Sequence, residues 1–454
     1  MSDMPPFLPT YIHMVGKSEI PTSFHYWCAI SLIAASLGKR VHTDRGLGQI
    51  YPNLYTFLIA GSGVGKNAAI DIAYELIRPE PFKDTVNPNR VISFTGPGFI
   101  DMMGECMKNM KADVEDAQLA KPIYILTPEL GQSLGEATQA RPTIKSMTEW
   151  YSGADYPMVD IKRTVGKTVL KGHCINWLAG TTEEWLMESI SQTAMKGGFL
   201  PRIVPVMEHK NYANRIAKPV IPPNAEELKH YLKQWLYVFT WLGNDDLSRG
   251  PAKAKHIQLT QEANEINEDW YQNRPEPDHD DLQAVWTRQY DLTQKLGMIF
   301  SIADPAEWHF NDPDNWWYGV SPQMGIDFEY SMLIREHHIA KAQEVSNIVM
   351  RNAPRLLELL TSNINSTNTE AALVFIKKHQ RVSRSMLAKY MARRVNKLQL
   401  DSIIDSLVDQ HQIKVFKSTG SGEVGKAQTK RPTTYYSYVG GTKLPTWYGT
   451  GGQS

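Results

Sequence analysis

The sequence predicts an α/β protein whose central region is a parallel sheet with helices on both faces. Three observations predict this. Short apolar runs at Leu54–Ala60, Arg90–Phe94, Pro122–Leu126, Ile175–Ala179 and Ile203–Met207 alternate with segments of helical period, the pattern of strands buried on both sides. The first of these runs passes through a glycine-rich loop directly into a helix. The chain of 454 residues, at roughly 150 per domain, also leaves room for smaller units beyond the sheet.

The elements follow in order. Residues 1–50 form an N-terminal helical segment: Pro21-Thr22 starts a buried helix over Ser23–Leu37 and Gly38 stops it. Residues 51–221 are the core. After its first strand and the loop Gly61–Gly65, a helix begins at Lys66. Ile70, Ala73, Tyr74 and Ile77 lie on one face of that helix, and Pro79 ends it. Helical stretches at Gly98–Met110 and Glu183–Ser191 separate the later strands. Residues 222–360 read as a predominantly helical lid with a loop rich in Asp, Pro and Trp at 304–318. The polar run 361–369 reads as a linker. Over 370–440 come helices near 370–379, 384–393 and 398–410. The strands Ile413–Lys417 and Thr434–Val439 then flank a Gly/Lys-rich hairpin, which is the element order of a winged helix. The tail 441–454 is expected to be poorly ordered.

Forty-eight Lys and Arg balance forty-eight Asp and Glu, which excludes a nucleic-acid binder held by global charge and leaves only local patches. Cys28, Cys106 and Cys174 offer neither zinc spacing nor a disulfide framework, as expected of a reducing cytoplasm. The N-terminus lacks a signal-peptide layout. Tyr26–Leu37, the longest apolar-leaning stretch, is too short to span a bilayer, so no membrane role is expected.

The chemistry centres on AGSGVGKNA, Ala60–Ala68. Strand, glycine loop and helix stand in the order that a phosphate cradle needs. Gly61, Ser62, Gly63, Val64 and Gly65 supply backbone N–H groups, Lys66 reaches the β/γ-phosphates, and Asn67 and Ala68 open the helix. Ala60 replaces the first glycine of the G-x-x-x-x-G-K-[S/T] pattern. Asn67 replaces the hydroxyl that binds Mg²⁺, and its carbonyl oxygen can take that place. A plain strand-to-helix glycine turn is the alternative. A second match, Gly420–Lys426, follows no buried strand and precedes no amphipathic helix, so it reads as a flexible basic hairpin tip.

Glu129 follows a buried strand, where a carboxylate can orient the attacking water; Pro128 stands where an Asp usually holds the ion's water shell. Capping a helix is the other reading of Glu129. Thr181 and Thr182 end the next strand, either to polarise the γ-phosphate (sensor 1) or to cap the following helix. Arg202 precedes the last strand, placed to act as an arginine finger on a neighbouring copy or simply as a solvated charge. The run Pro277–Asp281 is favoured as a solvated acidic loop, and Trp308, Trp316 and Trp317 as structural residues.

Taken together, these motifs resemble the AAA+ ATPase core. They resemble in particular phage and mobile-element ATPases described as helicases or primase-associated proteins, over roughly residues 7 to 345. Val159–Gly180 is similar to the hairpin and sensor strand of minichromosome-maintenance helicases, and GFLPRIVPV to their arginine-finger strand. The resemblance implies ATP and Mg²⁺ as cofactors, a homo-oligomer such as a hexamer, and Arg288 or Lys295 as a sensor 2 residue, with a plain surface charge on an amphipathic helix as the other reading of these two. Val159–Arg163 and Thr168–His173 are expected to pair as this hairpin, with Gly166 in its turn. Lys162, Arg163, Lys167 and Lys171 on it either grip DNA phosphates or stand as a solvated basic hairpin without a partner. The third helix of the winged helix carries Asp401, Asp405 and Asp409 and repels phosphates. Its wing, with Lys414, Lys417, Lys426, Lys430 and Arg431, is left to meet DNA or replication proteins. The expected function is an ATP-driven motor on DNA, a replicative helicase of a phage or mobile element. The alternatives are an initiator or helicase loader that switches on ATP with slow hydrolysis, and a nucleotide-binding scaffold that docks protein partners.

Overall fold

A helix without a polar face has to lie inside the protein. In α2 (Thr22–Leu37) every residue from Trp27 to Leu37 is buried, and Gly38 ends it with a positive φ of 54°. The structure is a computed structural model. It describes residues 5–46, 48–78, 82, 86–91, 98, 102, 122–134, 137–153, 158–162, 166–170, 173–189, 198–209, 216, 218–242, 254–277, 279–310, 328–392, 394–395, 397–418 and 433–439. The expected helix over 98–110 and the Gly420–Lys426 hairpin tip lie outside these residues, or almost wholly so. The chain forms two units, Met1–Glu358 and Leu359–Ser454.

In the first unit, α1 (Phe7–Val15) and α2 pack together. The antiparallel pair β1 (Val41–Arg45) and β2 (Gly48–Ile50) follows, and then β3 (Tyr55–Ile59), buried at every position. The Gly61–Gly65 loop leads into α3 (Lys66–Ile77). The sheet continues with β4 (Asn87–Arg90), β5 (Ile123–Thr127), β8 (Ile175–Thr181) and β9 (Ile203–Met207); its order is β4-β5-β8-β3-β9, all parallel. Between β5 and β8 lie α4 (Leu130–Leu134), α5 (Ala137–Trp150) and the antiparallel ribbon β6 (Met158–Lys162) with β7 (Gly166–Leu170).

Two elements correct the expectations. The edge strand β4 begins earlier than the expected run at 90–94 and meets it at Arg90. Val91 N still donates to Leu126 O at 2.9 Å, while residues 92–94 lie outside the described residues. An edge strand has only one neighbour and need not be apolar throughout, and an edge is where its Pro88 is tolerated. The other edge strand, β9, also carries a proline, and the carbonyl of Pro205 accepts a bond from Asn352 Nδ2 at 3.4 Å. In the ribbon, Gly166 pairs with Lys162 and opens β7, so it is not in the turn.

Between β8 and β9 lies α6 (Glu183–Ser189), and after β9 come α7 (Ala225–Trp241), α8 (Gln261–Asn273) and α9 (Gln283–Ile302). The region is less purely helical than expected. Short strands β10 (Lys255–His256), β11 (Gln258–Leu259), β12 (Trp308–Phe310), β13 (Phe328–Tyr330) and β14 (Leu333–Ile334) tie it together, and β10 joins β1. Trp308, expected in a loop, is buried in β12 beside Trp235 and Tyr330. One hydrophobic cluster runs from Phe7 to Val349, so the segments 1–50, 51–221 and 222–360 share a core.

The helix α10 (Glu336–His379) continues through 361–369, where a linker was expected. That run is polar but holds no Gly or Pro, so nothing in it breaks a helix that both flanks support. In the second unit, β15 (Arg381–Ser383), α11 (Arg384–Met391), α12 (Lys397–Asp409), β16 (Ile413–Ser418) and β17 (Thr433–Tyr438) follow. Their antiparallel sheet has the order β15-β17-β16. Its core includes Ile376, Val382, Leu387, Leu407, Ile413 and Tyr436.

Candidate functional site

The carboxyl ends of β3, β8 and β5 lie side by side, the place where open parallel sheets hold ligands. Gly65 closes the loop after β3 with a φ of 87°, and a Cβ on it would lie 2.6 Å from Ile20 Cγ1; both facts require glycine. Gly61, Ser62 and Gly63 are exposed, as are Asn67 and Ala68 in the first turn of α3. The unpaired N–H groups and dipole of that turn favour an anion. Lys66 is buried under the loop and donates to the carbonyls of Ala60 at 2.7 Å and Gly61 at 2.9 Å. Burial pulls its ammonium below the usual value, and the charges of Glu129 and Glu184 act in the other direction.

Asn67 Nδ2 donates to Glu129 Oε1 at 3.0 Å. The two residues, 62 positions apart, therefore meet beside the loop, and Glu129 also stands directly before α4, its carbonyl accepting from Ser133 N at 3.1 Å. Gly180 lets β8 approach the chain after β5: a Cβ there would stand 2.3 Å from the Pro128 carbonyl. The two threonines divide their work. Thr182 Oγ1 accepts from the backbone of Trp185 at 3.2 Å and so caps α6, while Thr181 takes no part in the cap. Thr181 is buried between the glycine strand and the Glu129 strand, and its carbonyl accepts from Ala60 N at 3.3 Å.

Arg202, Arg288 and Lys295 lie elsewhere. In register Tyr55 pairs with Ile203 and Ile59 with Met207, so Arg202 stands at the amino end of the strands. At about 3.3 Å per residue, that is roughly 20 Å from the glycine loop. Its guanidinium donates to the Gly198 carbonyl and lies 5.9 Å from the Tyr151 ring, with Nε buried and unpartnered among the described residues. Burial lowers its pKa, and the neighbouring Arg288 lowers it further. Arg288 is 3.8 Å from Asp291, a carboxylate that Arg45 also engages. Lys295 is buried, 4.2 Å from the centre of the same Tyr151 ring, and donates to Asn53 O at 2.8 Å and Asn53 Oδ1 at 2.7 Å. It therefore cannot reach a nucleotide on its own glycine loop, and the sensor 2 expectation fails for it: a lysine on an amphipathic helix reads as a surface charge, but this one ties α9 to the start of β3.

Burial brings the Lys295 ammonium from 10.5 down to about 7. Between those values the unfolded chain binds a proton that the folded protein does not. Stability should therefore rise with pH across that window, by up to about 1.4 kcal/mol per pH unit. Below the window both states are protonated and the folded one carries the full desolvation cost. Urea unfolding across this range should show the rise, and Lys295→Met should remove it. A variant that keeps the parental slope would assign the titration to another group.

Lys162 and Lys167 lie on the paired strands β6 and β7; Arg163 and Lys171 lie outside the described residues. The sequence reading missed four side chains at the carboxyl edge. Glu183 and Glu184 follow β8, and Glu183 accepts from Arg355 Nη2 at 3.1 Å. Glu208 follows β9, bonds through its N–H to Ile59 O at 3.0 Å and accepts from Ser23 Oγ at 2.6 Å. The acids could have been found from their place just after predicted strands. Arg355, in a long polar helix, gives no such signal. Comparison with known protein families and with curated proteins finds no match to this chain.

Proposed function

We propose that the chain is an oligomeric ATPase that works as a motor on DNA, its first unit a P-loop core and its second a winged helix. The observation that supports this best is the meeting of Lys66, Asn67, Glu129 and Thr181 at the carboxyl ends of adjacent parallel strands. A triphosphate laid along the loop meets the N–H groups of α3, and Lys66 exchanges two carbonyls for phosphate oxygens. Glu129 orients a water for in-line attack and takes its proton, while Thr181 polarises the γ-phosphate. The donors fit Mg²⁺ brought with the nucleotide. That ion accepts one or two protein oxygens plus phosphates and waters, and Asn67 Oδ1 remains available while its amide nitrogen holds Glu129. When bound, the ion would neutralise charge on the phosphates. Arg202, at the far edge of the sheet, serves only a neighbour's nucleotide in this scheme, with Arg288 beside it.

Glu129→Gln tests the chemistry. The variant should bind ATP as the parent does and lose turnover, because the carboxylate acts on the water rather than on the ground-state phosphates. Binding lost in step with turnover would make Glu129 a structural residue. A second reading, the slow ATP switch of an initiator or loader, is favoured by the Asn67–Glu129 bond, which holds the carboxylate in place. A forked duplex separates the two, since a motor unwinds it and a switch does not.

A further inference from the structure

We infer that the outer face of the β15-β17-β16 sheet is a stacking platform for single-stranded nucleic acid. The inference rests on the proposed action on DNA and names a contact surface within the second unit. The register sets Phe416 opposite Tyr435 and Arg381 opposite Ser437, with Lys414 opposite Ser437 on the other side. Alternation therefore puts Arg381, Lys414, Phe416 and Tyr435 on one face. The other face, with Val382, Tyr436 and Ile413, closes the core.

On the outer face the Arg381 guanidinium lies 4.6 Å from the centre of the Tyr435 ring and 5.9 Å from that of Phe416. Arg381 and Lys414 are exposed, Phe416 is 46% exposed, and neither cation has a carboxylate partner among the described residues. The charges favour a polyanion. The three strands hold no Asp or Glu, and Lys377 and Lys378 lead into β15. Three of this unit's five acids, Asp401, Asp405 and Asp409, lie instead on α12, where Asp401 pairs with Arg384. The helix that would read a duplex groove is therefore acidic, while the sheet is basic and aromatic.

An exposed planar cation held against one ring offers its other surface to a base, and Phe416 adds a second apolar wall beside it. Bases can reach such a surface only when unstacked from their own strand, which selects single strands and tolerates any sequence. Lys414 then meets the phosphates as a point charge.

The full-length protein is titrated into a fluorescein-labelled oligothymidylate of about 20 nucleotides, followed by anisotropy at low salt. Phe416→Ala and Arg381→Ala should each weaken binding roughly 5- to 100-fold. Phe416→Trp should keep or tighten it. Arg381→Lys should fall well short of the parent because it keeps the charge and loses the flat stack. DNA-free ATP turnover should be unchanged in all four, which also reports that the chain folds. Parental affinity in both alanine variants overturns the platform and leaves the motor reading standing. Full affinity in Arg381→Lys alongside a weak Arg381→Ala reduces the face to plain charge attraction and overturns the stacking role. A parent that does not bind the oligonucleotide removes the platform together with the DNA part of the proposed function.

Discussion

Lys66→Ala should leave a protein that no longer turns over ATP. Lys66 is the one cation seated in the glycine loop among the described residues, and its ammonium donates to two carbonyls of that loop. Removing a single preorganised donor of developing negative charge costs about 10²–10³ in rate. A charged donor in a buried setting sits at the upper end of that range, and part of the loss falls on binding. Turnover and nucleotide affinity by calorimetry are the two readings. If both match the parent, the loop is only a strand-to-helix turn.

Arg202→Ala should bind ATP normally and hydrolyse it poorly, with a loss of roughly 10³–10⁵ if the guanidinium completes a neighbour's site. The distance across the sheet makes this testable by mixing. A subunit with an intact loop and one with an intact Arg202 still form a competent interface, so Lys66→Ala and Arg202→Ala proteins should recover activity together that neither has alone. In isolation the guanidinium rests on Gly198 and Tyr151, so engaging a neighbour requires it to leave those partners. Failure of every mixing ratio would remove the shared site. Full activity in a species that light scattering shows to be monomeric would do the same.

The parts of the fold that were legible in the sequence are those where local residue choice and burial agree. The apolar run of β3, the positive-φ glycines after it and the periodic face of α3 leave one arrangement open. So do the buried runs of β5, β8 and β9. What stayed hidden depended on distant partners. An edge strand such as Asn87–Arg90 is buried on too few sides to need an apolar run, so its place is set by pairing with β5. Lys295 looks like any lysine on a helix until Asn53, 242 positions away, is brought to it. The Asn67–Glu129 bond likewise has no local signature: each residue was legible as a departure from, or a match to, a motif, but not as a partner of the other. The helical run through 361–369 shows the converse, since a polar stretch without a breaker can be carried by its flanks.

Pro205 has a consequence for how copies of this chain can associate. An outer strand normally offers a row of free N–H and C=O groups, which another chain can continue as a shared sheet. Here the ring of Pro205 removes a donor, and Asn352 covers the carbonyl of the same residue; on the opposite border Pro88 removes another donor. Backbone zippering is thus discouraged at both margins. Contacts between copies would then have to be made by side chains and loops, which can part and re-form as a bound nucleotide changes. A continuous hydrogen-bonded ribbon could not do this without unravelling.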